Sequence, residues 1–146
     1  MEVTSLTKAK NRCLQRLLDR AREFVAATAV GGHATLEARL PAYERDREAL
    51  LKTLDLFDRK LTAAVAALTP AERTETLLTS LRRDLEVAQS LIQGVLLKDE
   101  EVFGRIQSAR DELLRELAVS ERNKVMASKF KSTWVPESGE GLDRKA

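Results

Sequence analysis

"LEARLPAYERDREALLKTLDLFDRKLTAAVAAL", residues 36–68, decides the fold. Leu36, Leu40, Tyr43, Arg47, Leu50, Leu54, Phe57, Leu61, Ala64 and Leu68 follow one another at alternating spacings of four and three. That alternation holds all of them on one stripe of a helix, the seam of a coiled coil or a long bundle. Arg47 is the one charged member. A lone charge on such a seam fixes register by pairing with an acid on a partner helix, or it snorkels its head to water. Pro41 suits an early helical position, where a missing N–H is harmless. The regular helix is therefore expected from near Leu40, within an element of about 34–68.

Working back from this seam, residues of about 4–29 read as another helix. Leu6, Cys13, Leu14, Leu17, Leu18, Ala21, Phe24, Val25 and Thr28 recur on one face. Gly31 and Gly32 end it, since glycine accepts the left-handed backbone of a helix terminus. So short a connection predicts that the seam helix runs back antiparallel. Forward of the seam, "TPAE" at 69–72 carries a capping residue, a proline for the first turn and a capping-box glutamate. A helix from about residue 70 would place Leu78, Leu81, Leu85, Ala88, Ile92 and Val95 inward. Val102, Ile106, Ala109 and Leu113 stay in phase if Asp99 takes a seam position.

Two readings of this last stretch remain open. One is a single helix over about 70–128. The other is a break near Asp99–Gly104 that makes two helices, about 70–98 and 99–130. A helix of about 59 residues would span roughly 88 Å against at most roughly 54 Å for the seam helix. An unbroken helix would leave Val102, Phe103, Ile106, Leu113, Leu114 and Leu117 as an uncovered apolar stripe that seeks a partner. A broken one could fold that stripe back as a fourth bundle member.

The fold class expected is all-α, an elongated antiparallel bundle or coiled coil of three or four long helices. Residues 1–131 form the helical domain and 132–146 a flexible tail. The composition agrees: 146 residues, 33% charged, only 4% aromatic. A net charge of +2 from 25 bases and 23 acids gives no ground for nucleic-acid or anionic-membrane binding. No apolar run approaches the ~20 residues of a membrane helix, and the N-terminus lacks a signal-peptide core, so a cytosolic location is expected. Cys13, the single cysteine, reads as a small buried apolar residue.

No catalytic constellation emerges, and no cofactor or metal is expected. His33 reads as a polar loop or cap residue. "AYERDRE" and "TSLRRDLE" read as solvated ion-pair surfaces. "RNKVMASKFK", residues 122–131, is basic without an acid. Cations there favour a helix C-terminus, or form a docking patch for an acidic partner. Val125, Met126 and Phe130 lie on one side of it, where they suit core packing or a surface that repacks against different partners.

The stretch "NKVMASKFKSTW" leading to "GEGLDRKA" resembles the end of flagellar type III export chaperones of the FlgN/FliT kind. The likeness falls on Asn123, Phe130, Gly139, Gly141, Leu142, Asp143, Arg144, Lys145 and Ala146. It covers the last quarter of the chain; the size and the long antiparallel helices match as well. Phe130 and Trp134 stand where such chaperones often carry tyrosine. The resemblance implies a non-enzymatic cytosolic chaperone for late export substrates, the hook-associated or filament-cap subunits, which it hands to the export apparatus. A client's amphipathic helix would lie along the C-terminal helix, on Val102, Phe103, Ile106, Leu113, Leu117, Val125, Met126 and Phe130, with Trp134 and Leu142 as anchors in the tail. Alternatively Trp134 folds back to cap the bundle. The competing class is a structural coiled-coil adaptor or homodimer whose stripe pairs with itself; a helical regulator of transcription or secretion is a third.

Overall fold

The computed structural model describes the backbone of residues 2–138 and the side chains of residues 2–130. Three helices account for almost all of this: α1 (Glu2–Ala27), α2 (Gly32–Ala66) and α3 (Glu75–Ser138). No strand occurs among the described residues. The chain divides into two compact units, Met1–Ile106 and Gln107–Ala146.

In the first unit α1, α2 and the first half of α3 pack together. α1 supplies most of the core: Val3, Cys13, Leu14, Leu17, Leu18, Ala21, Phe24 and Val25 are all buried. Leu14 and Leu17 meet Ala88 of α3, and Leu50, Leu54, Leu91 and Val95 close around them. Cross-links fix the register. Thr7 and Asn11 of α1 hydrogen-bond to the side chain and backbone of Asp84. The Cys13 thiol donates to the Leu50 carbonyl, and Lys10 pairs with Asp58 at 2.7 Å. Phe24 stacks on Tyr43 with ring centroids 4.4 Å apart. As α1 numbers rise from 10 to 24, their α2 partners fall from Asp58 to Tyr43, so these helices are antiparallel. The α3 partners rise, so α1 and α3 are parallel.

The reversal between α1 and α2 rests on Gly31 and Gly32, with φ of 99° and 63°. A Cβ at Gly31 would also collide with the Thr35 side chain. Thr28 closes the end of α1 by donating from its hydroxyl to the Phe24 carbonyl at 2.7 Å.

Every seam member from Leu36 to Ala64 is buried or half-buried in α2, as is Leu68 beyond its end, while most of the residues between them face water. Three expectations need correction. Pro41 lies inside α2, nine residues after Gly32, rather than near its start. Its ring removes one hydrogen bond to the preceding turn, but Leu36 is buried and anchors that turn to the bundle. "TPAE" forms its capping contacts, with the Thr69 N–H and hydroxyl both donating to Glu72 Oε1, yet these close only an isolated turn. The helix begins at Glu75, where Thr74 accepts the Leu77 N–H. Finally, α3 runs without a break through Asp99–Gly104 and on to Ser138. Of the two readings of this stretch, the backbone has the single helix, and helix continues over 132–138, inside the stretch expected as a flexible tail. Pro136 stands so close to the end of α3 that it costs one bond to the turn before it, with no further turns built upon it. Residues 139–146 lie outside the described residues.

Candidate partner-binding surface

α3 carries two adjacent apolar columns in its first half. Leu77, Leu81, Ala88, Leu91, Val95 and Val102 turn inward. Leu78, Leu85 and Ile92, expected on the seam, are exposed, with Leu78 at 51%. The inward face is shifted by about one residue because α3 packs against two helices at once, and Asp84 is drawn in by Thr7 and Asn11. Leu78, Leu85, Ile92, Leu96 and Phe103 recur at spacings of seven, seven, four and seven, so they form one outward stripe.

At the upper end of this stripe a groove of about 480 Å³ opens between α2 and α3. Leu40, Tyr43 and Leu51 form its α2 side, and Val102, Phe103 and Ile106 its α3 side. Phe103 is 62% exposed, whereas Val102 is only 6% exposed. Val102, expected as a contact residue, therefore belongs to the core and offers the groove only its edge.

The groove floor holds the pair that the seam foreshadowed. Arg47 donates to Asp99 Oδ2 at 2.7 Å, with both side chains about 30% exposed. Burial alone would lower the Arg47 pKa; the hydrogen bond and charge of Asp99 outweigh it, so the guanidinium is held above its usual range. Tyr43, beside the pair, has its phenol pKa raised by burial first and then by the Asp99 charge. Glu44 and Glu48 stand on the α2 wall. Three carboxylates thus line the groove; Asp99 is paired with Arg47, and Glu48 with Lys52 at 3.2 Å.

The other expected contact residues lie in the second unit, whose described part is the continuation of α3. Leu113, Leu114, Leu117, Val119, Val125, Met126 and Phe130 are all exposed. Val119, Met126 and Phe130, spaced seven and four apart, share one face; Arg122 and Lys129, seven apart, run along its edge. The side chains of Trp134 and Leu142 lie outside the described residues, so the two anchors expected in the tail have no described place.

Periodicity did not reveal Tyr43, Glu44, Leu51 and Asp99 as groove residues, nor Leu96 as part of the outward stripe. A signal existed: Leu96 and Phe103 are a heptad apart and fit neither seam. No described helix is long and apolar enough to cross a membrane. Comparison with protein-family models, with curated proteins and with solved structures found no match.

Proposed function

We propose that this chain is a non-catalytic chaperone that holds an amphipathic helix of a client on the later part of α3. One observation carries the reading: seven large apolar side chains are exposed between Leu113 and Phe130. Exposure on that scale is a liability for a chain that works alone and an asset for one that binds. Arg122 and Lys129 beside these side chains, with Lys124 paired to Glu121 at 3.8 Å, favour a client helix bearing acids next to its apolar face. The resemblance at the C-terminus supplies the client class: late flagellar export subunits, hook-associated or filament-cap, delivered by a cytosolic protein to the export apparatus. Trp134 and Leu142 are carried in this reading as further contacts.

The test is titration calorimetry of the full chain against purified hook-associated and filament-cap subunits. The same titration is run with a chain truncated before Val119. Saturable binding by the full chain, lost on truncation while the Met1–Ile106 unit keeps its melting transition, supports the reading. Undiminished binding by the truncated chain moves the site off the end of α3. No binding to either subunit class removes the flagellar reading. The second reading, a coiled-coil adaptor that pairs with itself, is favoured by the opposite charges of the groove and of the end of α3.

A further inference from the structure

We infer that the groove between α2 and α3 receives residues 119–130 of a second copy of this chain, so that the free protein is a self-paired oligomer. The inference concerns the protein without a client and stands apart from the client reading.

The groove and that segment match in kind. The groove has apolar sides, Leu40 and Leu51 on α2 and Phe103 and Ile106 on α3, with Glu44 and Glu48 on the α2 wall. The segment has an apolar face of Val119, Met126 and Phe130 and a basic edge of Arg122 and Lys129. Glu44 and Glu48 are one helical turn apart on α2, and Arg122 and Lys129 are two turns apart on α3, so each row stacks along its helix. One acidic wall therefore meets one basic edge when the apolar faces touch. The Arg47–Asp99 pair at the floor neutralises itself, and Glu48 is paired with Lys52 at 3.2 Å, so Glu44 contributes most to the negative sign that the wall presents to an occupant. A helix with acids on that edge would be repelled there, which disfavours the acidic clients proposed for the end of α3 as occupants of the groove. The outward stripe of Leu78, Leu85, Ile92 and Leu96 extends the apolar surface along α3 beside the groove.

Sedimentation equilibrium on the purified full chain tests this, with no client present. The wild type is expected to self-associate, and less so in high salt, because rim pairs of this kind are screened. Phe103→Ser and Met126→Ser should each weaken association by about thirtyfold, as loss of a central anchor does. Glu44→Lys with Glu48→Lys should weaken it by about tenfold, and so should Arg122→Glu with Lys129→Glu. An equimolar mixture of the two charge-reversed proteins should associate more tightly than either alone. All four replaced groups in the charge test lie on exposed helix surfaces, and unchanged helicity and melting would show that the variants fold. A monomeric wild type overturns the inference. So does an oligomer indifferent to both reversals, or one in which mixing restores nothing; either result would assign the contact to other surfaces.

Discussion

α1 and α2 are both amphipathic, yet they are used differently. α1, with 26 residues, buries eight; α2, with 35, fully buries only Leu36. α1 lies against both α2 and α3, so its whole apolar face is covered. α2 meets α1 along one edge of its seam and α3 along the other, and at the upper end that second edge opens into the groove. The difference teaches that amphipathicity measures what a helix can bury, and the number of neighbours determines what it does bury. In this bundle the surplus falls on α2 and the outward column of α3, where a partner can use it.

The largest effect should come from the covered helix. Leu14→Ala, at a site 2% exposed, removes a side chain packed on Leu17 and Ala88. A loss of about 3 kcal/mol is expected in denaturant unfolding, with the slope unchanged. Leu51→Ala, at a half-open site on α2, should cost under about 1 kcal/mol. Equal losses at the two positions would break the comparison, because they would mean that α2 is as fully covered in solution as α1.

The next effect concerns the charge on the seam. Considered as a lone charge, Arg47 suggests that Arg47→Leu would raise stability or alter the oligomeric state. Asp99 changes that expectation. The single change leaves a carboxylate without its partner at a site about 30% exposed, so a loss of about 1–2 kcal/mol is expected. The double change Arg47→Leu with Asp99→Leu should recover most of it, since apolar replacement of both partners removes the orphan. Thermal unfolding of the three variants checks this. A double variant no better than Arg47→Leu would show that Asp99 was never dependent on its partner.

This pair also shows how far the sequence could be read. The 4–3 spacing of α2 forces its ten seam positions inward, and Arg47 among nine apolar or aromatic positions announces a partner. The spacing puts Asp99 on a seam position if Val102 and Ile106 keep phase through it, but it does not name Asp99 as the partner of Arg47. In α3 the spacing is ambiguous. Two apolar columns sit side by side, and only the neighbours decide that Leu77, Ala88 and Leu91 turn in while Leu78, Leu85 and Ile92 turn out. The capping chemistry at Thr69 and Glu72 was legible and real, but a cap closes a turn whether or not a helix follows. Of the candidate surface, the sequence carried the apolar pattern that continues from Leu113 to Phe130. The acidic wall of the groove was not legible, since Glu44 and Glu48 look like any other exposed helical acids until α3 is placed beside them.

A smaller effect separates the buried helix from the open groove by pH. Tyr43 and Cys13 both have pKa values raised, chiefly by burial. Each protonated form is thus favoured in the folded chain, and its contribution is intact below the unfolded pKa. The folded state binds more protons than the unfolded one between the two pKa values, so stability falls as pH rises through about 9–10 and beyond. Tyr43 is the single tyrosine, so absorbance at the phenolate band reads it directly. Its midpoint should lie above that of a free tyrosine and return to it in denaturant. Asp99→Asn should bring the midpoint down partway, since the Asp99 charge is the second cause. A midpoint unchanged by folding would mean that the groove floor is as wet as the outer face of α2.

The smallest effect compares two glycines on α3. A Cβ at Gly94 would come within 3.2 Å of a Leu18 methyl, where α1 presses closely on α3. A Cβ at Gly104 would meet nothing within 4 Å. Both stand inside a helix, and neither has a positive φ. Glycine in a helix interior costs roughly 0.5–1 kcal/mol relative to alanine, mainly through the freedom it keeps in the unfolded chain. Gly104→Ala should therefore stabilise by about that amount, seen as a small rise in the melting temperature. At Gly94 the same gain is opposed by the shift that Leu18 must make inside a filled core, so Gly94→Ala should gain less than Gly104→Ala or lose outright. Alanine at Gly104 that destabilises would mean that this stretch of α3 is not a continuous helix in solution. Alanine at Gly94 that stabilises as much as at Gly104 would mean that α1 has room to move there, and the contrast between a covered helix and an open one would narrow.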